Sequence, residues 1–176
     1  MTARETALRA LITFRREGAW PDLFLKKACA GLSQEDAALA SALTYGVLQN
    51  RAYLDFLIGS FSRRPPEKLT PPLLDALRLG AYQLVFLSRI PARAAVSETV
   101  ELVKQQGNPA AAGYANGVLR ALARSLPCLP KVPRKPALEH LSITYSHPRW
   151  FVGRCSSGWE RRAARRFCRR TTPLSP

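Results

Sequence analysis

The chain has 176 residues, 47% of them hydrophobic, with 27 Lys and Arg against 12 Asp and Glu and a formal net charge of +15. This length fits one compact domain plus a remnant. No run reaches the ~18 apolar residues of a membrane-spanning helix, and the N-terminus, MTARETALRA, lacks the apolar stretch of a secretory leader. The charge is uneven: residues 1–125 carry 16 basic and 10 acidic side chains, a net of +6, and residues 126–176 carry 11 and 2, a net of +9. Such an excess points to a polyanionic partner and leaves RNA, DNA and anionic lipid open.

The four cysteines, Cys29, Cys128, Cys155 and Cys168, form no C-x-x-C pair, and His140 and His147 complete no zinc pattern. No metal is expected, and reduced thiols in a cytoplasmic protein are the simplest reading.

In chain order, a first helix is predicted from about Thr2 to Arg16. Ala7, Leu8, Leu11 and Ile12 form its apolar stripe, Arg9 and Arg16 lie opposite with Arg4 near by, and Gly18 ends it. Pro21 and Asp22 open a second helix that stops before Gly31. Ser33 followed by Asp36 resembles a capping box for a third, which carries Ala37, Ala38, Ala40, Leu43, Val47 and Leu48 inward. Tyr53, Leu54, Leu57, Ile58 and Phe61 form a fourth amphipathic segment, halted by Pro65 and Pro66.

The stretch the chain is organised around is Leu73 to Leu87, in which only Asp75 and Arg78 are charged. Thr70 before Pro71 suits a helix start, and a helix apolar most of the way round belongs at the centre of a helical domain. After Ile90-Pro91, a sixth helix carries Ala95, Val96, Thr99, Val100, Leu102 and Val103 inward. Gly107-Asn108-Pro109 is a turn. A seventh helix, about Ala110 to Arg124, puts Tyr114, Ala115, Val118, Leu119 and Leu122 inside and Arg120 and Arg124 outside. No strand is predicted. Gly80, Gly113 and Gly117 lie inside helical patterns, where glycine costs ~1 kcal/mol against alanine, and close helix contact is a sufficient reason for them. Asn116, Ser97 and Glu98 are expected to bond or cap within the bundle. Pro127, Pro130, Pro133 and Pro136 then recur every third residue, which suits an extended polyproline II linker.

These motifs in this order carry a resemblance. Leu43-Thr44-Tyr45-Gly46-Val47-Leu48, Leu54-Asp55, Leu77 to Leu84, Ile90 to Lys104 and Asn116-Gly117-Val118-Leu119-Arg120 resemble the NusB-like N-terminal domain of RsmB-type (Sun or Fmu) ribosomal RNA cytosine-C5 methyltransferases. Leu141 to Trp150, LSITYSHPRW, is similar to the start of the methyltransferase portion in that family, which favours the RsmB type over free-standing NusB.

The resemblance implies an all-α, NusB-like bundle of about seven helices over residues 1–125. A Pro-rich linker at 126–139, a remnant of the methyltransferase region at 140–152 and a basic, disordered tail at 153–176 are expected to follow. It implies RNA as partner, 16S ribosomal RNA above all, and a small ribosomal protein as a second one. Free-standing relatives act in transcription antitermination and regulation, which is the alternative function. In the full-length family, S-adenosylmethionine is the cofactor and two cysteines act in methyl transfer. Here no strand and glycine-rich loop follow Trp150, so neither cofactor nor methyltransferase activity is expected of this polypeptide, and Cys155 and Cys168 read as incidental.

The expected phosphate contacts are Arg4, Arg9, Arg16, Lys26 and Lys27, continued by Lys131, Arg134 and Lys135. Such contacts position RNA without reading its sequence. Two readings stand for the arginine-rich tail: a change of reading frame near Val152, or a selected arm whose Arg161-Arg162, Arg165-Arg166 and Arg169-Arg170 repeat every four residues and fold on RNA.

Overall fold

A computed structural model of the chain describes residues 1–18, 21–106 and 109–158. Among them are nine α-helices and no strand: α1 (Ala3–Glu17), α2 (Pro21–Ala28), α3 (Gln34–Gln49), α4 (Arg51–Phe61), α5 (Pro71–Phe86), α6 (Ala92–Gln105), α7 (Pro109–Arg124), α8 (Ala137–Thr144) and α9 (Arg149–Gly158). None of the described helices is long and apolar enough to cross a membrane.

The bundle of α1 to α7 is built around α5, which packs against α1, α3, α4, α6 and α7. Leu73, Ala76, Leu77, Leu79, Gly80, Ala81 and Leu84 of α5 are buried. They meet Leu8 and Leu11 of α1, Leu43 and Val47 of α3, Leu54, Leu57 and Ile58 of α4, Val96 and Val103 of α6, and Leu119 and Leu122 of α7 in one core cluster. Burying a Leu or Ile in this way contributes about 1.5–3 kcal/mol. The central position expected of Leu73 to Leu87 is what the packing shows.

Local signals set the helix ends. Thr2 caps α1 in a full capping box: its side chain accepts from the Glu5 N–H, and the Glu5 carboxylate accepts from the Thr2 N–H at 2.8 Å. Gly18 ends α1 at φ 62°, a left-handed conformation that glycine adopts without a Cβ penalty. At α3 the Ser33 hydroxyl accepts from the Asp36 N–H at 3.1 Å. Thr70 holds the N-cap position of α5, but its side chain makes no capping bond; the prolines at the start of the helix set its direction instead.

Several expectations need correction. Ala38 is exposed, not directed inward. Gly80 does fit close contact: a Cβ there would come within 2.9 Å of Leu119 Cδ1 and 3.0 Å of Thr99 Oγ1. Gly113 and Gly117 do not, because they face outward from α7, and a Cβ at either position would have nothing within 4 Å. Gly46 is the tighter case, since its Cβ would lie 2.0 Å from the Tyr82 ring. Ser97 is exposed and bonds only the Ala94 carbonyl of its own helix, at 3.2 Å, and Glu98 is exposed.

The proline-rich stretch is anchored in part. After the 3-10 turn Leu126–Cys128, Leu126 and Leu129 still pack on the main core, and α8 starts at Ala137. Helices α8 and α9 pack on each other around Leu141, Tyr145 and Val152, and α8 contacts α4. The Tyr53 N–H donates to Ser146 Oγ at 3.2 Å across that contact. α9 continues through Val152 to Gly158, so helix runs past the point where a tail is expected to begin. The paired arginines from Arg161 to Arg170, Cys168, and Gly107 and Asn108 of the expected turn lie outside the described residues.

Candidate nucleic-acid interface

A surface for a polyanion needs cations that are not already neutralised. The structure separates its arginines into those spent inside the bundle and those left outside. Arg78 of α5 is buried. Its Nε and Nη2 donate to the two carboxylate oxygens of Asp55 on α4, at 2.7 and 2.8 Å, and its Nη1 donates to Asp75 at 3.0 Å. Asp75 also accepts from Nε of Arg15 on α1 at 2.8 Å. Burial pulls the Arg78 guanidinium down, but the bonds and charges of Asp55 and Asp75 outweigh it and leave its pKa raised. This network joins α1, α4 and α5 and is neutral, with two arginines and two aspartates. The cation excess of residues 1–125 therefore lies on the surface.

The expected contacts divide accordingly. Arg9 and Arg16 are exposed on α1, two helical turns apart on one face. Lys26 and Lys27 are exposed in the last turn of α2, which packs against α1 and where cations complement the helix dipole. Arg4 is set apart from these: it is half-buried, and its Nε donates to Oε1 of the buried Gln83 at 2.7 Å. Gln83 completes its pairing by donating to the Leu79 carbonyl at 3.1 Å. The helical phase that groups Arg4 with Arg9 and Arg16 is thus overridden by a buried amide in need of a donor. Lys131, Arg134 and Lys135 are exposed along the extended stretch before α8. Among the described residues, no hydrogen bond or ion pair joins them to α1 or α2.

A basic groove went unforeseen in the sequence. Exposed Arg63, Arg64 and Lys68 line a depression of about 420 Å³ together with Leu69, Leu73, Ala111 and Tyr114. The turn that presents the two arginines is fixed by Ser62, whose hydroxyl donates to the Arg64 carbonyl and accepts from the Arg64 N–H at 3.1 Å. The Tyr114 hydroxyl also bonds Ser62 Oγ, which ties the turn to α7. The signal for this site was the charge on either side of Pro65-Pro66, a stretch that reads as punctuation when only helices are sought. Among the described residues, no group of three or more His, Cys, Asp and Glu side chains is arranged to hold a metal ion.

Comparison with known proteins agrees with this architecture. The profile described as "NusB family" matches residues 1–124. The chain is 36% identical to the probable ribosomal RNA small subunit methyltransferase B of Bacillus subtilis over 174 residues, which is 96% of this chain and 38% of that protein. The chain is also 34% identical to the transcription antitermination protein NusB of Bacillus licheniformis, over 71% of this chain and 96% of that one. Among solved structures, antitermination factors NusB and NusE in complex with dsRNA superpose with a TM-score of 0.62 at 27% identity, covering 70% of this chain and 94% of the matched one. The chain therefore spans well under half of the methyltransferase it matches and nearly all of a free-standing NusB. It belongs to the NusB family, in the form of the NusB-like domain found in RsmB-type ribosomal RNA methyltransferases.

Proposed function

We propose that this chain is an RNA-docking domain of the ribosomal RNA methyltransferase type, with small-subunit (16S) ribosomal RNA as its target. The observation that carries this reading is the placement of Arg9, Arg16, Lys26 and Lys27. All four are exposed on two packed helices, while the acids nearest the core, Asp55 and Asp75, are taken up by Arg78 and Arg15. The dsRNA held in the NusB and NusE structure supports the same class of ligand. The role assigned to these cations is to hold the phosphate backbone in register, leaving sequence selection to other contacts. The domain itself is assigned no methyl-transfer step.

A second reading, docking on a small ribosomal protein, has the NusB and NusE pairing in its favour. Its weakness is the lack of an apolar surface: Met1, Leu23 and Trp150 are the exposed large hydrophobic side chains among the described residues, and they stand on separate elements. Binding of the full chain to a small-subunit rRNA fragment separates the two. Replacing Arg9, Arg16, Lys26 and Lys27 together by Gln is expected to weaken RNA binding and to flatten its salt dependence by about 3 in log–log slope, at about 0.7 per single-strand phosphate contact. Unchanged RNA affinity in that variant would remove the α1–α2 surface from the function.

A further inference from the structure

A second cationic groove lies between α6 and α7. It has a volume of about 700 Å³ and is lined by Arg93, Ser97, Asn116, Arg120 and Arg124 with Ala92, Val96 and Ala123. Arg93, Arg120 and Arg124 are all exposed. Among the described residues none of them has an ion pair, unlike Arg15 and Arg78. Of the acids of α6, Glu101 is engaged by Lys104 at 3.1 Å and Glu98 is exposed, and neither lines the groove. Arg120 and Arg124, four residues apart on α7, stand one turn from each other on the same face. Arg93 approaches from the first turn of α6. Asn116 and Ser97, which the sequence suggested as internal caps, border this groove.

We propose that this groove is a second seat for the RNA backbone, separate from the α1–α2 surface, with Arg93, Arg120 and Arg124 each contacting phosphate and Asn116 bonding a sugar or phosphate oxygen. Three guanidinium groups converge there without acidic partners. Each offers a planar fork of donors that matches phosphate bidentately. The apolar part of the lining consists of two alanines and one valine, which gives a protein partner no large side chain to bury. A phosphodiester strand needs none. Position supports continuity with the first surface. Arg9 borders a depression shared with Leu102, Gln105 and Gln106, at the far end of α6 from Arg93, and the twelve residues from Arg93 to Gln105 span about 18 Å of helix. The two sites are thus placed to hold successive stretches of one RNA along the length of α6.

This inference rests on the RNA-docking reading, and its test keeps the two apart. The full chain, a variant carrying Arg93→Gln, Arg120→Gln and Arg124→Gln, and the corresponding Arg→Lys triple variant are titrated with a labelled single-stranded fragment of small-subunit rRNA across a salt series. All three side chains are exposed, so unchanged helicity and melting temperature are the expected folding control. The Gln variant is expected to lose about 2 from the magnitude of the log–log salt slope and to bind about tenfold more weakly at moderate salt. The Lys variant is expected to recover most of the slope but less of the affinity, because an ammonium group cannot make the bidentate contact. Wild-type binding that is unaffected by the Gln substitutions, yet lost on changing Arg9 and Arg16, would overturn the groove and leave the RNA reading intact. Absence of wild-type binding would overturn both.

Discussion

At the residue scale, three positions show how context decides what a side chain is worth. Gly46 sits against the Tyr82 ring, which stacks on Phe86 with centroids 5.1 Å apart and has little room to swing away. Gly46→Ala is expected to destabilise the fold by about 1–3 kcal/mol through overpacking. Gly113→Ala and Gly117→Ala should each stabilise it by about 0.5–1 kcal/mol, since an exposed helical glycine gains from a methyl group and meets no obstacle. Urea unfolding of the three variants checks both signs. Arg78 holds Asp55 and Asp75 together, so Arg78→Ala leaves the part-exposed Asp55 without its partner and the buried Asp75 with Arg15 alone, and should cost about 1–3 kcal/mol by the same assay. His147 is shifted by its partial burial, which holds its pKa below the ordinary 6.5. Its NMR titration should have a midpoint below 6.5. A histidine with a depressed folded pKa contributes stability that is complete above 6.5 and is lost as pH falls toward the folded value, because the unfolded chain takes up the proton first. The stability of the α8–α9 pair should therefore decline on acidification through that window.

Legibility in the sequence followed the range of the interaction. Local devices could be read: the apolar period of α1 and α4, the proline starts of α2 and α5, the glycine stop at Gly18, and the outward facing of Arg120 and Arg124. Long-range polar pairing could not. Nothing near Arg4 in sequence announces Gln83, and nothing near Arg78 announces Asp55 at 2.7 Å. Gly80 and Gly117 look alike in a helical pattern, and only the neighbouring helix distinguishes the packed one from the exposed one. The grooves were hidden for the same reason, because Arg93 meets Arg120 and Arg124 only once α6 is laid against α7.

At the scale of elements, the chain divides its stability unevenly. The helices α1 and α3 to α7 share one large core, whereas α8 and α9 bury Leu141, Tyr145 and Val152 in a small cluster of their own and lean on α4 through the Tyr53 to Ser146 bond. Opening free energy follows buried apolar contact. Native-state hydrogen exchange should accordingly show amides of α8 and α9 exchanging through a lower-energy opening than those of α5. Equal protection throughout would mean that the α8–α9 pair is an integral layer of the bundle. The proline-rich stretch belongs to this scale too: its period of three foretold an extended path, but the packing of Leu126 and Leu129 ties its beginning to the bundle.

On the scale of the whole molecule, the neutral network of Arg15, Asp75, Arg78 and Asp55 confines the charge excess to the surface, where it is available to a polyanion over distances of about a Debye length, roughly 8 Å at physiological ionic strength. The arrangement favours backbone contacts over base reading, so the domain alone should discriminate weakly among RNA sequences. The measurement that tests the central claim most directly is binding of the full chain to a small-subunit rRNA fragment as a function of salt. The account predicts an affinity that falls as salt rises, with a log–log slope of about −3 or steeper for four or more single-strand phosphate contacts. A tight but salt-independent complex, or no complex at low salt, would contradict it.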